Sequence, residues 1–212
     1  VLDEVKYELD WLFKMQASDG GVYHKLTTPN FEGFIIPTAC RQPRYVVTKS
    51  ITATLDFAAV MADAARLFEP YQQDYPGFTE QATTMAERAY QWAKQHPTAL
   101  YRPDQLHHPE ITTGTYADFN SRDELFWAAS ALYRLTPKQM YFEDAQQNQP
   151  QRFNTPSWGN VSALGAFEWL SAKASPLYTD MLHQLMDYCK NAIRDVEKSS
   201  FQSPFGNNAR DF

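Results

Sequence analysis

The chain is built mainly from segments in which apolar residues recur every three or four positions, with charged residues largely on the other faces. This spacing puts the apolar side chains on one face of a helix, so each segment predicts an amphipathic α-helix. Alanines at many inward positions of the second and third segments would let helices approach closely. No stretch alternates with strand period. The predicted helices cover 2–16, 49–68, 78–95, 121–135, a short stretch after 136–137, 161–173, and 175 to about 198.

Local signals predict where several helices begin and end. Asp19-Gly20-Gly21 would stop the first helix, because glycine adopts the left-handed conformation that helix ends need. Ser121 and Glu124 have the spacing of a capping box, in which each side chain satisfies a backbone amide of the first turn. Thr136-Pro137 predicts an N-cap followed by an N1 proline, and Ser175-Pro176 predicts the start of the last helix.

Three long loops, at about 17–48, 97–120 and 146–160, separate the predicted helices. Long irregular loops in a compact domain are usually functional. We therefore expect helical hairpins packed together, with the loops gathered at one end. No composition shift marks a second domain.

Composition and charge narrow the function classes. The net charge is −6, so a basic face for nucleic acid is not expected. No apolar run is long enough to predict a membrane span. Aromatic residues make up 15% of the chain. They fit either an aromatic helical core or a sugar-binding cleft in which rings stack on pyranose faces. Cys40 and Cys189 lie in no metal-binding pattern and leave the compartment open.

Two segments carry a family resemblance: 19-DGGVYHK-25 and 116-YADFNSRDELFWAA-129. With the PRY loop at 43–45 and the alanine-rich helix between them, they resemble glycoside hydrolase family 9, which contains cellulases built on an (α/α)6 barrel. The resemblance implies an all-α fold. It also implies that residues 1–212 are part of a single catalytic domain, with its N-terminal and C-terminal segments lying outside this chain and the barrel therefore incomplete.

The resemblance also implies a sugar cleft and residues that bind substrate in it. His24 matches a histidine that hydrogen-bonds substrate, and a neutral imidazole offers the donor and the acceptor that sugar hydroxyls need. Tyr116 lies in a loop that lines the cleft, and Trp158 opens another and could stack on a ring. Arg44 would help hold the first loop. Tyr23 and Lys25 are expected only to pack and to contact solvent.

The catalytic pair is expected outside these residues. The family inverts, and inverting enzymes hold two carboxyl groups roughly 6.5–9.5 Å apart. Its base belongs to a DAGD-like motif, which this sequence lacks, and the context of Glu197 does not fit the acid. We therefore assign no catalytic residue and expect the 212-residue chain alone to be inactive.

Acidic residues at 118–124 have two interpretations. Asp118, Asp123 and Glu124 supply the oxygen ligands that calcium favours, and some family members bind calcium at the matching helix start. The other interpretation is helix capping alone. The spacing is not that of an EF-hand. No cofactor is expected to be required, and the first interpretation adds only a structural calcium.

The resemblance favours a hydrolase of β-1,4-linked glucan, with a β-linked oligo- or polysaccharide as partner and a secreted or periplasmic location. Alternatives are an exo-acting glucosaminidase or cello-oligosaccharide hydrolase of the same family, a non-catalytic sugar-binding helical protein, or a helical scaffold that binds no sugar.

Overall fold

The computed structural model describes residues 1–102 and 109–204, and within these ranges the regular secondary structure is almost entirely helical. The predicted all-α class is confirmed. None of the helices in these ranges is long and apolar enough to cross a membrane. The seven helices are α1 Leu2–Phe13, α2 Ile51–Phe68, α3 Phe78–Gln95, α4 Arg122–Leu135, α5 Gln139–Asn148, α6 Ser162–Leu170 and α7 Tyr178–Lys198.

The helices form two layers. The even-numbered helices α2, α4 and α6 pack side by side in an inner layer, and α3, α5 and α7 each pack on the inner helix that precedes them. Because each outer helix returns the chain to the same end, the three inner helices run parallel. Their first residues, and the loops that precede them, therefore lie together at one end of the molecule.

The inner layer is packed through small side chains. Ala58, Ala62 and Ala65 of α2 and Ala128 and Ala131 of α4 are fully buried. Interaxial distance depends on the side chains at the contact, so alanine lets these helices approach closely. The predicted role of the alanine-rich faces is confirmed.

One buried tryptophan fixes α6 against α4. Trp169 is fully buried, and its indole Nε1 donates to Ser130 Oγ at 2.8 Å. The Ser130 hydroxyl in turn donates to the Phe126 carbonyl at 2.6 Å. A buried polar group costs free energy unless it is hydrogen-bonded, so this chain of bonds lets the core hold the indole without penalty.

The first long loop contains a small sheet that the sequence pattern did not predict. Strand β1, Leu26–Thr27, pairs antiparallel with strand β2, Tyr45–Val46. Two residues per strand are too few for alternation to be visible. The loop ends at Ser50, whose Oγ accepts from Ala53 N and caps α2.

Two predicted capping signals at the ends of α4 are wrong, namely the capping box at Ser121 and the role of Thr136 as the N-cap of the next helix. Ser121 occupies the N-cap position of α4, but its side chain caps no amide, and Glu124 is buried, so there is no capping box. Instead Asn120 Oδ1 accepts from Arg122 N. Thr136 ends α4, because its amide donates to Leu132 O.

The remaining differences lie at other helix ends. Helix α5 begins at Gln139 with Lys138 as N-cap, rather than at Thr136-Pro137. Helix α7 begins at Tyr178, because Ser175 belongs to the turn that closes α6 and donates to Trp169 O. Helix α1 ends at Phe13.

We predict that Gly165→Ala destabilises the fold. A Cβ at this position of α6 would lie 2.7 Å from Phe126 Cδ1 and 3.0 Å from Trp127 Cα. Overpacking costs about 1–3 kcal/mol, against a helix-propensity gain of about 1 kcal/mol, so we expect a net loss of up to about 2 kcal/mol in urea unfolding. Gly159→Ala is the control, because a Cβ there meets nothing within 4 Å. Equal stabilities for the two variants would contradict close α4–α6 packing at Gly165.

Candidate functional site

The first loop is fastened to α3 by the turn at 19–21. Gly20 has a φ of +101°, and a Cβ at this position would lie 2.7 Å from the Arg88 carbonyl oxygen. A Cβ on Gly21 would lie 2.5 Å from the Trp92 ring, so only glycine fits. Asp19 accepts from Gly21 N at 3.2 Å and from Trp92 Nε1 at 3.1 Å. The prediction that this turn stops the first helix is wrong, because α1 already ends at Phe13 with Lys14 as its C-cap. The turn is instead the anchor that directs residues 22–25 toward the inner-helix ends.

His24 lies where the first two loops meet. Its Nδ1 is 2.8 Å from Ser50 Oγ, and its Nε2 is 3.3 Å from Thr115 O and 3.1 Å from Tyr116 O. The imidazole also stacks on the buried Tyr101 ring, with centroids 4.3 Å apart. Carbonyls only accept, so Nε2 carries the proton and Nδ1 of the neutral ring accepts from the Ser50 hydroxyl.

Burial lowers the pKa of His24, which favours this neutral form at neutral pH. Both ring nitrogens are then engaged by the protein. A hydrogen bond from His24 to a sugar would have to replace one of these contacts. The predicted direct contact with substrate stays a prediction, and the contact that the structure shows is with the Tyr116 loop.

Tyr116 and Trp158 form an exposed aromatic pair. Their side chains are 60% and 71% exposed, and their rings meet edge to face with centroids 6.1 Å apart. They come from different long loops, and the fold brings them together at the inner-helix ends. Tyr116 has a φ of +48°, a left-handed conformation that costs a non-glycine residue roughly 1–2 kcal/mol. A strained, exposed aromatic residue is typical of a functional position.

A polar groove opens beside the turn that carries Trp158. Its volume is about 240 Å³, and Asn160, which pairs with Ser157 across that turn, is one of its walls. Side-chain amides both donate and accept, as sugar hydroxyls require. Other lining residues include Asn120, Arg122, Gln149, Gln151 and Asn154.

Arg44 is exposed immediately before β2. With the residues that the structure describes it forms no hydrogen bond or ion pair. Its predicted role in holding the first loop stays a prediction.

Carboxyl groups from two inner helices lie close together below the cleft. Glu124 is almost fully buried, and its neighbours Asp123 and Asp56 repel its charge. Burial together with this repulsion raises the pKa of Glu124 to about 9, and the same effects, with Asp118 contributing, raise the pKa of Asp56 to about 7. Asp123 Oδ2 accepts from Val161 N at 2.8 Å, which ties the start of α6 to α4.

The same carboxyl groups are the candidate ligands for a bound calcium ion. Glu124 Oε2 and Asp56 Oδ1 are buried without a hydrogen-bond partner among the described residues, and such oxygens suit calcium. However, no three His, Cys, Asp or Glu side chains within 1–102 and 109–204 converge as metal ligands. Asp118 instead accepts from Asn120 N. The donors fit calcium in kind, and backbone, amide or water oxygens would complete the shell.

Asp56 was not singled out from the sequence. The available signal was a single acid within the apolar run 51–62 of α2. An ionisable group inside such a run is rarely buried without a partner, so this position could have been recognised as unusual. The acidic residues of α4 that lie near it could not have been identified from the sequence.

Comparison with known proteins identifies the family. The model of glycosyl hydrolase family 9 matches residues 1–209. The chain belongs to this family. It is 49% identical to the xyloglucan-specific endo-β-1,4-glucanase of Bacteroides ovatus over 222 residues, covering 100% of this chain and 38% of that protein. It is 31% identical to endoglucanase D of Acetivibrio thermocellus, covering 97% of this chain and 33% of that protein.

The fold agrees with solved structures of the family. A Bacteroides ovatus family 9 structure superposes with a TM-score of 0.92 at 49% identity, covering 100% of this chain and 40% of that chain. A metagenome-derived family 9 endoglucanase gives a TM-score of 0.82 at 30% identity, covering 96% and 37%. The predicted (α/α)6 barrel class is confirmed. The chain spans well under half the length of these relatives.

We predict that the buried carboxyl cluster makes stability fall as pH rises in EDTA. The pKa of Glu124 is about 9 in the folded state against an ordinary value of 4.5, so the folded state binds more protons between these values. The contribution of this proton to the free energy of unfolding is then complete below about pH 4.5. It decreases toward pH 9, by at most about 1.4 kcal/mol per pH unit for each proton.

Glu124→Gln should flatten this slope between pH 5 and 8 in urea unfolding measured at a series of pH values. Glu143→Gln, which removes an exposed carboxylate of α5, is the control and should keep the wild-type slope. A parallel pH profile for Glu124→Gln would show that this carboxyl group is not protonated in the folded protein.

Proposed function

We propose that the complete protein hydrolyses β-1,4-linked glucan. The observation that carries the proposal is the exposed pair of Tyr116 and Trp158, held at the end where the loops of a family 9 fold meet. Aromatic faces supply apolar contact area for pyranose rings, and the surrounding carbonyls, hydroxyls and amides supply neutral hydrogen-bond partners.

We further propose that the preferred glucan is branched, with xyloglucan as the first candidate. The relative that is 49% identical over the whole of this chain is named as xyloglucan-specific. The groove of about 240 Å³ beside the Trp158 turn could hold a short side branch while the glucan backbone lies against the Tyr116–Trp158 pair. Most of its lining side chains are amides, which supply both donors and acceptors to sugar hydroxyls, and Arg122, Arg152 and Asp123 add charged hydrogen-bond partners.

The chemistry needs an acid and a base that these residues do not supply. Inverting hydrolysis uses one carboxyl group to protonate the leaving oxygen and another to activate water. The described carboxyl cluster does not fit this role, because Glu124 and the Oδ1 atom of Asp56 are shielded from solvent and from a bound substrate. We propose that both catalytic groups lie outside these 212 residues and that this chain binds and orients the substrate.

Two alternatives predict different products. An exo-acting glucosaminidase or cello-oligosaccharide hydrolase would release short products only from the end of the matching oligomer. A non-catalytic sugar-binding protein would bind oligosaccharide and release no product, even as the complete protein.

We predict that the complete protein cleaves xyloglucan or unbranched β-1,4-glucan and that Trp158→Ala raises KM about tenfold. A tenfold change corresponds to about 1.4 kcal/mol, which is the size expected for an exposed aromatic anchor. Product analysis by mass spectrometry on xyloglucan, cello-oligosaccharides and chitosan oligosaccharides provides the measurement. Trp11→Ala, which removes a partly exposed tryptophan of α1, is the matched control and should leave KM unchanged.

Each outcome separates the hypotheses. Mid-chain cleavage of glucan supports the proposal, and a preference for xyloglucan supports the branched substrate. Cleavage of chitosan oligosaccharides alone would favour the glucosaminidase. No product from any substrate, with oligosaccharide binding retained, would favour the non-catalytic alternative.

We also propose a structural calcium ion at the carboxyl cluster, and predict that millimolar calcium raises the melting temperature. Protons compete for the same oxygens, so the rise should be larger at pH 8 than at pH 5. Asp123→Ala should abolish it, whereas Asp187→Ala on the exposed side of α7 should not. Turnover should persist in EDTA, since the ion has no chemical step. A calcium response unchanged in Asp123→Ala would place the ion elsewhere.

A further inference from the structure

The loop that carries Tyr116 is held by an unusual set of contacts. Four consecutive backbone carbonyls, from residues 113–116, each accept a hydrogen bond from one of two consecutive side chains. His24 Nε2 contacts the carbonyls of Thr115 and Tyr116. Lys25 Nζ takes the other two, at 2.6 Å from Gly114 O and 3.4 Å from Thr113 O. We define this arrangement, His24 and Lys25 on the carbonyls of 113–116, as the loop clamp.

Lys25 matches its acceptors in number and kind. An ammonium group has three donors and no acceptor. In addition to the two carbonyls, Lys25 Nζ lies 3.1 Å from Thr113 Oγ1. The ammonium also lies 5.8 Å from the centroid of the Tyr101 ring, which favours a cation at this place. The side chain is therefore not the solvated amine that the sequence suggested.

The clamp is itself fixed to the scaffold. His24 N donates to Thr48 O, and Lys25 O accepts from Val47 N, so both residues belong to the hydrogen-bonded region around β1 and β2. Tyr101, which contacts both side chains, is 1% exposed. A rigid base of this kind can hold a strained segment that would otherwise relax.

The held segment is the one that presents the exposed ring. Tyr116 keeps its φ of +48° while its own carbonyl is bound by His24 and the carbonyl of Gly114 by Lys25. Its ring then meets Trp158 at 6.1 Å. Without the hydrogen bonds to these carbonyls, the loop clamp would no longer hold Tyr116 in its left-handed conformation.

We propose that Lys25 is a positioning residue for substrate: it holds the 113–116 loop in the conformation that places Tyr116 beside Trp158. This inference rests on the proposed function, because it assigns Lys25 to the same cleft. Lys25 acts only through Tyr116 and touches no reacting atom.

The test uses Lys25→Met in the complete protein, which keeps an unbranched apolar side chain and removes every donor. We expect KM for the cleaved glucan to rise about fivefold to tenfold with kcat changed less than twofold, because a binding contact is misplaced while the chemical groups are untouched. Lys190→Met is the matched control. Lys190 is an exposed lysine of α7 that pairs with Asp187, so its replacement should not change KM.

A double-mutant cycle separates positioning from a general loss of structure. In a Tyr116→Ala background, Lys25→Met should raise KM by less than twofold, since the residue through which it acts is gone. The same several-fold rise in both backgrounds, or an unchanged KM in the single variant, would overturn the proposal.

Hydrogen–deuterium exchange tests the clamp without any substrate. Lys25→Met should speed exchange of the amides at 113–117, and Lys190→Met should not. If the wild-type protein cleaves no glucan, the proposed function fails, yet this measurement still decides whether Lys25 holds the loop. Unchanged exchange in Lys25→Met would overturn the clamp even if the glucanase activity is found.

Discussion

Close packing of three parallel inner helices is the constraint on which the rest of the structure depends. Alanines on the facing sides of α2 and α4 bring their backbones together, and the buried Trp169 fixes α6 against α4. Because the three helices run parallel, their starting ends form one surface. Every long loop that precedes an inner helix must end at that surface, so residues distant in the chain become neighbours there.

Two different polar arrangements result from this geometry. Above the helix ends, backbone carbonyls of one loop are satisfied by side chains of another, and an exposed aromatic pair faces outward. Below them, acidic side chains of α2 and α4 are buried near one another, and Asp123 also accepts from the backbone at the start of α6. The first arrangement suits a neutral, hydroxyl-rich ligand. The second arrangement is unfavourable while its carboxylates are ionised and without a cation. Protonation or a bound cation removes the repulsion between them.

The family assignment and the site geometry support each other at different levels. Membership of glycosyl hydrolase family 9 gives the barrel class and supports the proposed class of reaction. Fold alone does not choose a substrate, because specificity depends on the loops grafted onto it. The loops of this chain contribute rings and neutral polar groups, which is binding chemistry. This agrees with the proposal that these loops bind the substrate while the catalytic acid and base lie elsewhere in the domain.

Sequence by itself determined the helices, the alanine-lined faces and the family, because these follow from periodicity and from contiguous motifs. It also proposed Tyr116 and Trp158 as cleft residues, and this role stays a prediction. Helix ends were less well predicted: Ser121 and Thr136 have the right identities for caps, yet neighbouring contacts engage these positions differently. Only the tertiary structure decided the roles of Lys25 and Asp56. Lys25 meets Gly114 across 89 positions of the chain, and Asp56 meets Glu124 across two helices. Such pairs leave no local pattern, since the contact exists only when the inner helices are packed.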